Sequence, residues 1–183
     1  MSKVVAIVSS PRAKGQGNAI VEKMAEVAKA NGNEVEVIYI NKIDNLKGCQ
    51  ACMGCKRNPG KCVRNDSLTP ALDAVAAADS LILTTPEYFS QACGQYRMFE
   101  DRLYGFVGPD YQPTITPKKV AVVVTCGGGI DGAHAIANAM QGVMTNFMKC
   151  DVVGQLVYSE KDSGNFAENA DAIAKAEEIA NKL

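Results

Sequence analysis

The sequence predicts a doubly wound α/β fold: a five-stranded parallel sheet of strand order 2-1-3-4-5 with helices on both faces. Three observations lead there. Five short apolar, β-branched runs recur along the 183 residues. They are near-continuous rather than alternating in hydrophobicity, as parallel strands covered on both faces must be. Helical patterns separate them, so the order is β-α-β-α-β-α-β-α-β, which winds into an open sheet.

Taken in order, Val4–Val8 is the first strand. Asn18–Ala30 follows as a helix, with Val21, Met24, Val27 and Ala28 on one face and Asn31-Gly32 as its stop. Val35–Ile40 is the second strand. Leu68–Ala78 is helical through Leu72, Val75 and Ala76, and Pro70 sits in its first turn, where a missing N–H is tolerated. Leu81–Thr85 is the third strand and Gln91–Leu103 the next helix. Val120–Thr125, a helix over Ala133–Met148, the strand Val152–Tyr158 and a closing helix Asn165–Leu183 complete the chain. The expectation is one domain over 1–183, with a cysteine-rich loop over 48–66 after the second strand. Tyr96–Lys119, rich in aromatics and then in proline, reads as a lid or an oligomer contact, with core packing as the competing view.

Hydrophobic residues make up 47% and charged residues 21%, an ordinary soluble composition. The net charge of −1 gives no reason to expect nucleic acid or an anionic membrane as partner. The start, M-S-K-V-V-A-I-V, lacks a signal-peptide run and leads into a strand, and no stretch reaches transmembrane length. The expected location is the cytoplasm, with the seven cysteines reduced or metal-bound.

In sheets of this kind the ligand lies beyond the carboxyl ends of the strands, near the switch point. The loop after the first strand reads Ser9-Ser10-Pro11-Arg12-Ala13-Lys14-Gly15-Gln16-Gly17-Asn18. Hydroxyls, two glycines and two cations lead into a helix N-terminus, which is how a phosphate is held. It is not a Walker A loop and lacks the third glycine of G-x-G-x-x-G. After the third strand, Pro86, Glu87, Tyr88, Phe89 and Ser90 offer two aromatics, either as walls for a planar ligand or as packing for the next helix. After the fourth strand, Thr125, Cys126, Gly127, Gly128 and Gly129 allow backbone to approach a ligand closely. The formal G-x-G-x-x-G match in that loop is discounted, because the fingerprint belongs to the first βα unit. His134, the only histidine, reads as structural or solvated; Cys93, Cys126 and Cys150 read as small apolar groups.

Cys49, Cys52, Cys55 and Cys62 follow the spacing C-x2-C-x2-C-x6-C. Gly48, Gly54 and Gly60 offer backbone freedom, and Pro59-Gly60 is a turn that returns Cys62 toward the others. Lys47, Lys56, Arg57, Lys61 and Arg64 lie around them, and positive charge favours thiolates. A 4Fe-4S cluster is the sharpest reading of so compact a run. Zinc comes second, because structural zinc sites pair separated knuckles. A disulfide is third, and a loop of ordinary thiols is the plain alternative.

These residues resemble the flavodoxin-like NAD(P)H-dependent FMN reductases, and within them the archaeal-type iron-sulfur flavoproteins. The likeness runs over nearly the whole chain. Its anchors are S-S-P-R-A-K-G-Q-G-N, the cysteine run, T-P-E-Y-F-S and T-C-G-G-G. In the first loop Ser9 stands where the family has Gly and Ala19 where it has Thr, which removes one hydroxyl. After the last cysteine, Asn65-Asp66-Ser67 replaces D-D-M. The resemblance implies FMN, with phosphate contacts from Ser10, Arg12, Gly17, Asn18 and Ala19. It implies ring contacts from Pro86 to Ser90 and from Thr125 to Gly129, with no side-chain acid or base. Cluster-free relatives keep several of the cysteines, so it speaks more strongly for FMN than for iron.

The function expected is an FMN-dependent oxidoreductase with NAD(P)H as possible donor and a 4Fe-4S cluster in the cysteine loop. The alternatives are a cluster-free NAD(P)H-dependent FMN or quinone reductase and a flavodoxin-type electron carrier. The near-neutral charge weighs against the carrier, which usually has an acidic surface. The partners expected are a small-molecule or protein donor and acceptor, and a second copy of the chain in a homodimer or homotetramer.

Overall fold

The computed structural model describes residues 1–183. Its sheet has the order β2-β1-β3-β5-β6, formed by Lys3–Val8 (β1), Glu34–Tyr39 (β2), Ser80–Tyr88 (β3), Lys119–Cys126 (β5) and Asp151–Ser159 (β6). All neighbours along this path are parallel, and in chain order the five strands run 2-1-3-4-5 as expected. A two-residue strand, Gln91–Ala92 (β4), pairs antiparallel with the end of β3.

The strands read as continuous apolar runs because successive residues feed two different cores. Val5, Ile7, Leu81, Leu83, Val120, Val122 and Val124 point to one face. Val4, Ala6, Val8, Ile82, Ala121 and Val123 point to the other. The first face is covered by Thr69–Ala77 (α3), Gly94–Leu103 (α4) and Ile130–Gly142 (α5), through Leu72, Val75, Tyr96, Phe99 and Ala137. The second is covered by Gln16–Ala30 (α1) and Ala170–Ala180 (α7), through Ile20, Met24, Ala176 and Ile179. Two one-turn helices, Gly54–Arg57 (α2) and Glu160–Ser163 (α6), lie in the segments after β2 and β6. No helix is long and apolar enough to cross a membrane.

Three elements differ from the sequence reading. Gln91 and Ala92 are strand rather than helix, because Glu87 and Tyr88 turn back through Phe89 and Ser90, both at positive φ (51° and 60°). The closing helix is two pieces: Asn165 caps a 3₁₀ turn over Phe166–Glu168, and Asn169 then caps α7 by accepting from the Ala172 amide at 2.9 Å. Met144 to Phe147 extend α5 as a π-helical stretch, Val143–Phe147, rather than as α-helix.

The Tyr96–Lys119 segment mostly follows its competing reading. Tyr96, Phe99, Phe106 and Val107 are in the core, so they form neither a lid nor a surface contact. Its proline-rich end delivers Lys118 inside the molecule, where Nζ donates to the carbonyls of Ala76 and Ala78 at the end of α3. Met98, Tyr104 and Tyr111 are the large hydrophobic side chains that the segment leaves exposed.

Candidate functional site

The loops after β1, β3 and β5 meet in one cavity at the carboxyl edge. Its lining includes Ser10, Arg12, Gly15, Gln16 and Gly17 from the first, Pro86, Glu87 and Tyr88 from the second, and Thr125, Cys126 and Gly127 from the third. Sheet topology explains the meeting: β1, β3 and β5 are adjacent strands, so their exits are neighbours.

The first loop is built for an anion. α1 begins after Gly15 with no side chain capping it and no acidic residue in its first turn, so the positive end of a fifteen-residue helix faces the cavity. The Ser10 hydroxyl accepts from the Arg12 amide at 3.2 Å, and Asn18 Nδ2 donates to the Ala13 carbonyl at 2.9 Å. Both bonds shape the loop from within. Gly17 is closely packed: a Cβ there would lie 3.3 Å from Thr84 Oγ1, which would have to give by a few tenths of an ångström, and 3.6 Å from Thr125 Oγ1. Beneath the loop, Ser9 Oγ, Asn18 Oδ1 and Thr84 Oγ1 are buried with no hydrogen-bond partner in the chain. Unpartnered buried polar atoms are costly. Together with the open helix end, they fit a phosphate-bearing ligand such as FMN.

The structure separates the sequence candidates by role. Ser10, Arg12, Gly17, Pro86, Glu87, Tyr88, Thr125, Cys126 and Gly127 line the cavity. Ser9 and Asn18 lie buried behind it, and Ala19 packs on the core face of α1. Phe89 projects fully into solvent from the hairpin tip beside Ser90, so it neither walls the cavity nor packs on the following helix. The Gly128 carbonyl accepts from Ser159 Oγ at 2.7 Å, and Gly129 precedes α5, so both shape the loop. Burial raises the Cys126 thiol pKa, which keeps it a neutral group. Gln16 and Glu160 also line the cavity and are bonded to each other at 3.1 Å. Sequence reasoning missed both; Glu160 begins the loop after β6, and the carboxyl-end rule, applied to the last strand, finds it.

Cys49, Cys52, Cys55 and Cys62 all line a second cavity, closed by Arg64, Asp101, Arg102, Tyr104 and Gly105. Cys49 and Cys52 are exposed and Cys55 and Cys62 half-buried. No three of these thiols stand at metal-binding separations. The Pro59-Gly60 turn does return Cys62 to the others. The backbone freedom comes from elsewhere than expected. Only Gly60 of the three glycines has positive φ, and Ala51 and Met53 take φ of 52° and 55° instead. Gly54 is needed for space, since a Cβ there would meet Val63 Cγ2 at 2.4 Å.

The basic residues around the loop are largely engaged away from the sulfurs. Lys56 Nζ donates to the carbonyls of Tyr104 and Val107 and lies 3.5 Å from the Tyr104 ring centroid. Lys61 pairs with Asp73 at 3.4 Å and Arg64 with Asp66 at 3.3 Å. The buried cation at this cavity is Arg102, which sequence reasoning missed. The signal for it was its register on α4, three residues after the core residue Phe99. Four sulfurs therefore line one cavity beside a buried guanidinium, with no three of them close enough together to hold a metal.

A doubly wound parallel sheet whose first βα loop offers an open helix end, with adjoining loops that meet it, defines a flavodoxin-like nucleotide- or flavin-binding protein. The chain belongs to the NADPH-dependent FMN reductase family, whose model matches residues 2–164. It is 28% identical over 144 residues, 78% of this chain and 62% of the other, to an iron-sulfur flavoprotein of Archaeoglobus fulgidus. It is 33% identical over 101 residues, 55% of this chain and 51% of the other, to an iron-sulfur flavoprotein of Methanosarcina thermophila. The chain thus spans between about half and just under two thirds of these relatives. Among solved structures it is similar to a putative quinone reductase from Klebsiella pneumoniae, with TM-score 0.77 at 18% identity, covering 100% of this chain and 85% of that one. It is also similar to the NAD(P)H:quinone oxidoreductase from Methanothermobacter marburgensis, with TM-score 0.75 at 16% identity and coverage of 100% and 98%. At such identities these two likenesses speak for the fold alone.

Proposed function

We propose that the protein is an FMN-dependent oxidoreductase that draws electrons from NAD(P)H and delivers them to a small-molecule or protein acceptor. The observation that supports this most is the convergence of three adjacent loops on one cavity beside an uncapped helix end, in a chain of the FMN reductase family. Bound FMN would supply hydride and single-electron exchange. The chain's own part is to hold and orient it. Arg12 and the α1 N-terminus counter the phosphate charge, and the Ser10 hydroxyl donates to a phosphate oxygen. Pro86, Tyr88 and Gly127, which line the same cavity, would lie against the flavin ring. The test is steady-state NADH and NADPH oxidation with and without added FMN. Turnover that requires FMN is expected; none with either donor refutes the reading.

For the second cavity, the reading is a 4Fe-4S cluster held by Cys49, Cys52, Cys55 and Cys62. The shared cavity, the loop spacing and the names of the curated relatives support it. Anaerobic reconstitution should give one cluster per chain, and Cys55→Ser should lose most of the iron while Cys150→Ser keeps it. The wide separation of the sulfurs favours a second reading, a cluster-free FMN or quinone reductase, and a wild-type protein that retains no iron establishes that one.

A further inference from the structure

We propose that Glu87 is a fixed negative charge that lowers the reduction potential of the flavin in the first cavity, and that Gly132 is the residue that seats it. This rests on the reading of that cavity as an FMN site. Three charged side chains line it: Arg12, Glu87 and Glu160. Arg12 stands just before α1, and Glu160 is bonded to Gln16, the first residue of the same helix. Glu87 lies at a different helix. A Cβ on Gly132 would collide with Glu87 Oε1 and lie 3.1 Å from its Cδ and 3.4 Å from Oε2, so the carboxylate rests on the bare Cα of that glycine. Gly132 is the third residue of α5, whose start no side chain caps. The Glu87 carboxylate therefore sits at the positive end of α5.

The two helix starts at this cavity thus differ. That of α1 has no acidic residue in its first turn and is open to an anion. That of α5 already holds one. A second anionic group there would meet Glu87, so the phosphate is directed to α1 and the rest of the ligand extends toward Glu87 and the loop Thr125 to Gly127. Glu87 enters none of the chain's ion pairs, so no bonded cation cancels its charge. A flavin that takes up two electrons and one proton gains one negative charge. A carboxylate lining the same cavity opposes that charge, so the chain holds the reduced form less tightly than it otherwise would. The potential falls, and the reduced flavin becomes a stronger donor to the acceptor.

The test uses the full chain and reads the dissociation constants of oxidised and of dithionite-reduced FMN without oxygen. Their ratio gives the shift in potential on binding. Glu87→Gln keeps the size of the side chain and removes its charge. Relative to oxidised FMN, it should bind reduced FMN about tenfold more tightly than the wild type does. That raises the midpoint potential by about 30 mV for a two-electron couple. Gly132→Ala keeps the charge and unseats it, so it should also change the ratio, but not in the Glu87→Gln background. Far-UV circular dichroism checks that each variant is folded. A Glu87→Gln protein whose preference for reduced FMN is equal to or below that of the wild type overturns the proposal. So does a folded Glu87→Gln protein that binds neither form, because Glu87 then holds the flavin rather than tunes it. A Gly132→Ala ratio that is unchanged, or a change that persists in the Glu87→Gln background, overturns the assignment of the seat. A wild type that binds no FMN refutes the reading of the cavity itself, and the proposal with it.

Discussion

At Arg12 and Gly105, single atoms decide what the two cavities can hold. Arg12 stands at the open end of α1 with its side chain exposed. Arg12→Ala should remove one charge-assisted phosphate contact, costing about 1.5–3 kcal/mol, or roughly ten- to a hundredfold in FMN affinity. Flavin fluorescence titration reads this, and an unchanged affinity would move the phosphate elsewhere. Gly105 presses on backbone, which has little room to yield. Gly105→Ala should destabilise the fold by about 1–3 kcal/mol in denaturant unfolding and displace Cys62. Asp66 carries a pH dependence. Burial raises its pKa, but Arg102, Arg64 and the Leu68 amide outweigh that, so the folded value lies below the ordinary carboxylate range. The sign follows: its stabilisation is present above the unfolded pKa and is lost as pH falls through the folded one. Asp66→Asn should therefore flatten the acid limb of stability below about pH 4. An acid limb as steep as that of the wild type would contradict the pairing.

Among the elements, those legible in the sequence are those with a strong physical period. The five strands were legible because each is a short apolar, β-branched run, with β1, β3 and β5 buried on both faces and the edge strands β2 and β6 partly so, and the order of the sheet followed from the alternation with helices. The β3–β4 hairpin was not. Such turns are usually announced by glycine or asparagine, and here Phe89 and Ser90 take the positive φ instead. The split before α7 was written in Asn165 and Asn169, whose side chains cap two successive starts. Asn169→Ala should cost about 1 kcal/mol by chemical denaturation, since it frees an amide at the start of a helix that packs on α1. A loss within error would mean that α7 is held by packing alone. The meeting of the β1, β3 and β5 exits at one cavity was legible from the topological rule plus loop composition. The partner of the cysteine loop was not, because Arg102 lies 36 residues from Asp66 and looks like an ordinary helix cation until burial is known.

For the molecule as a whole, the two cavities are built differently, one from loops after adjacent strands and the other from the long loop after β2 with the C-terminal end of α4. Met98, Tyr104 and Tyr111 remain exposed near the second. We expect a homodimer or homotetramer that covers them, and light scattering showing a monomer at working concentration would exclude it. The central claim is that the β1–α1 loop holds the phosphate of a flavin. Parallel titration of the flavin-free protein with FMN and with riboflavin tests it most directly, because the two ligands differ only by that phosphate. The account predicts saturable FMN binding at one per chain, at least about a hundredfold tighter than riboflavin. Equal affinity for the two, or no saturable binding of FMN, would contradict it.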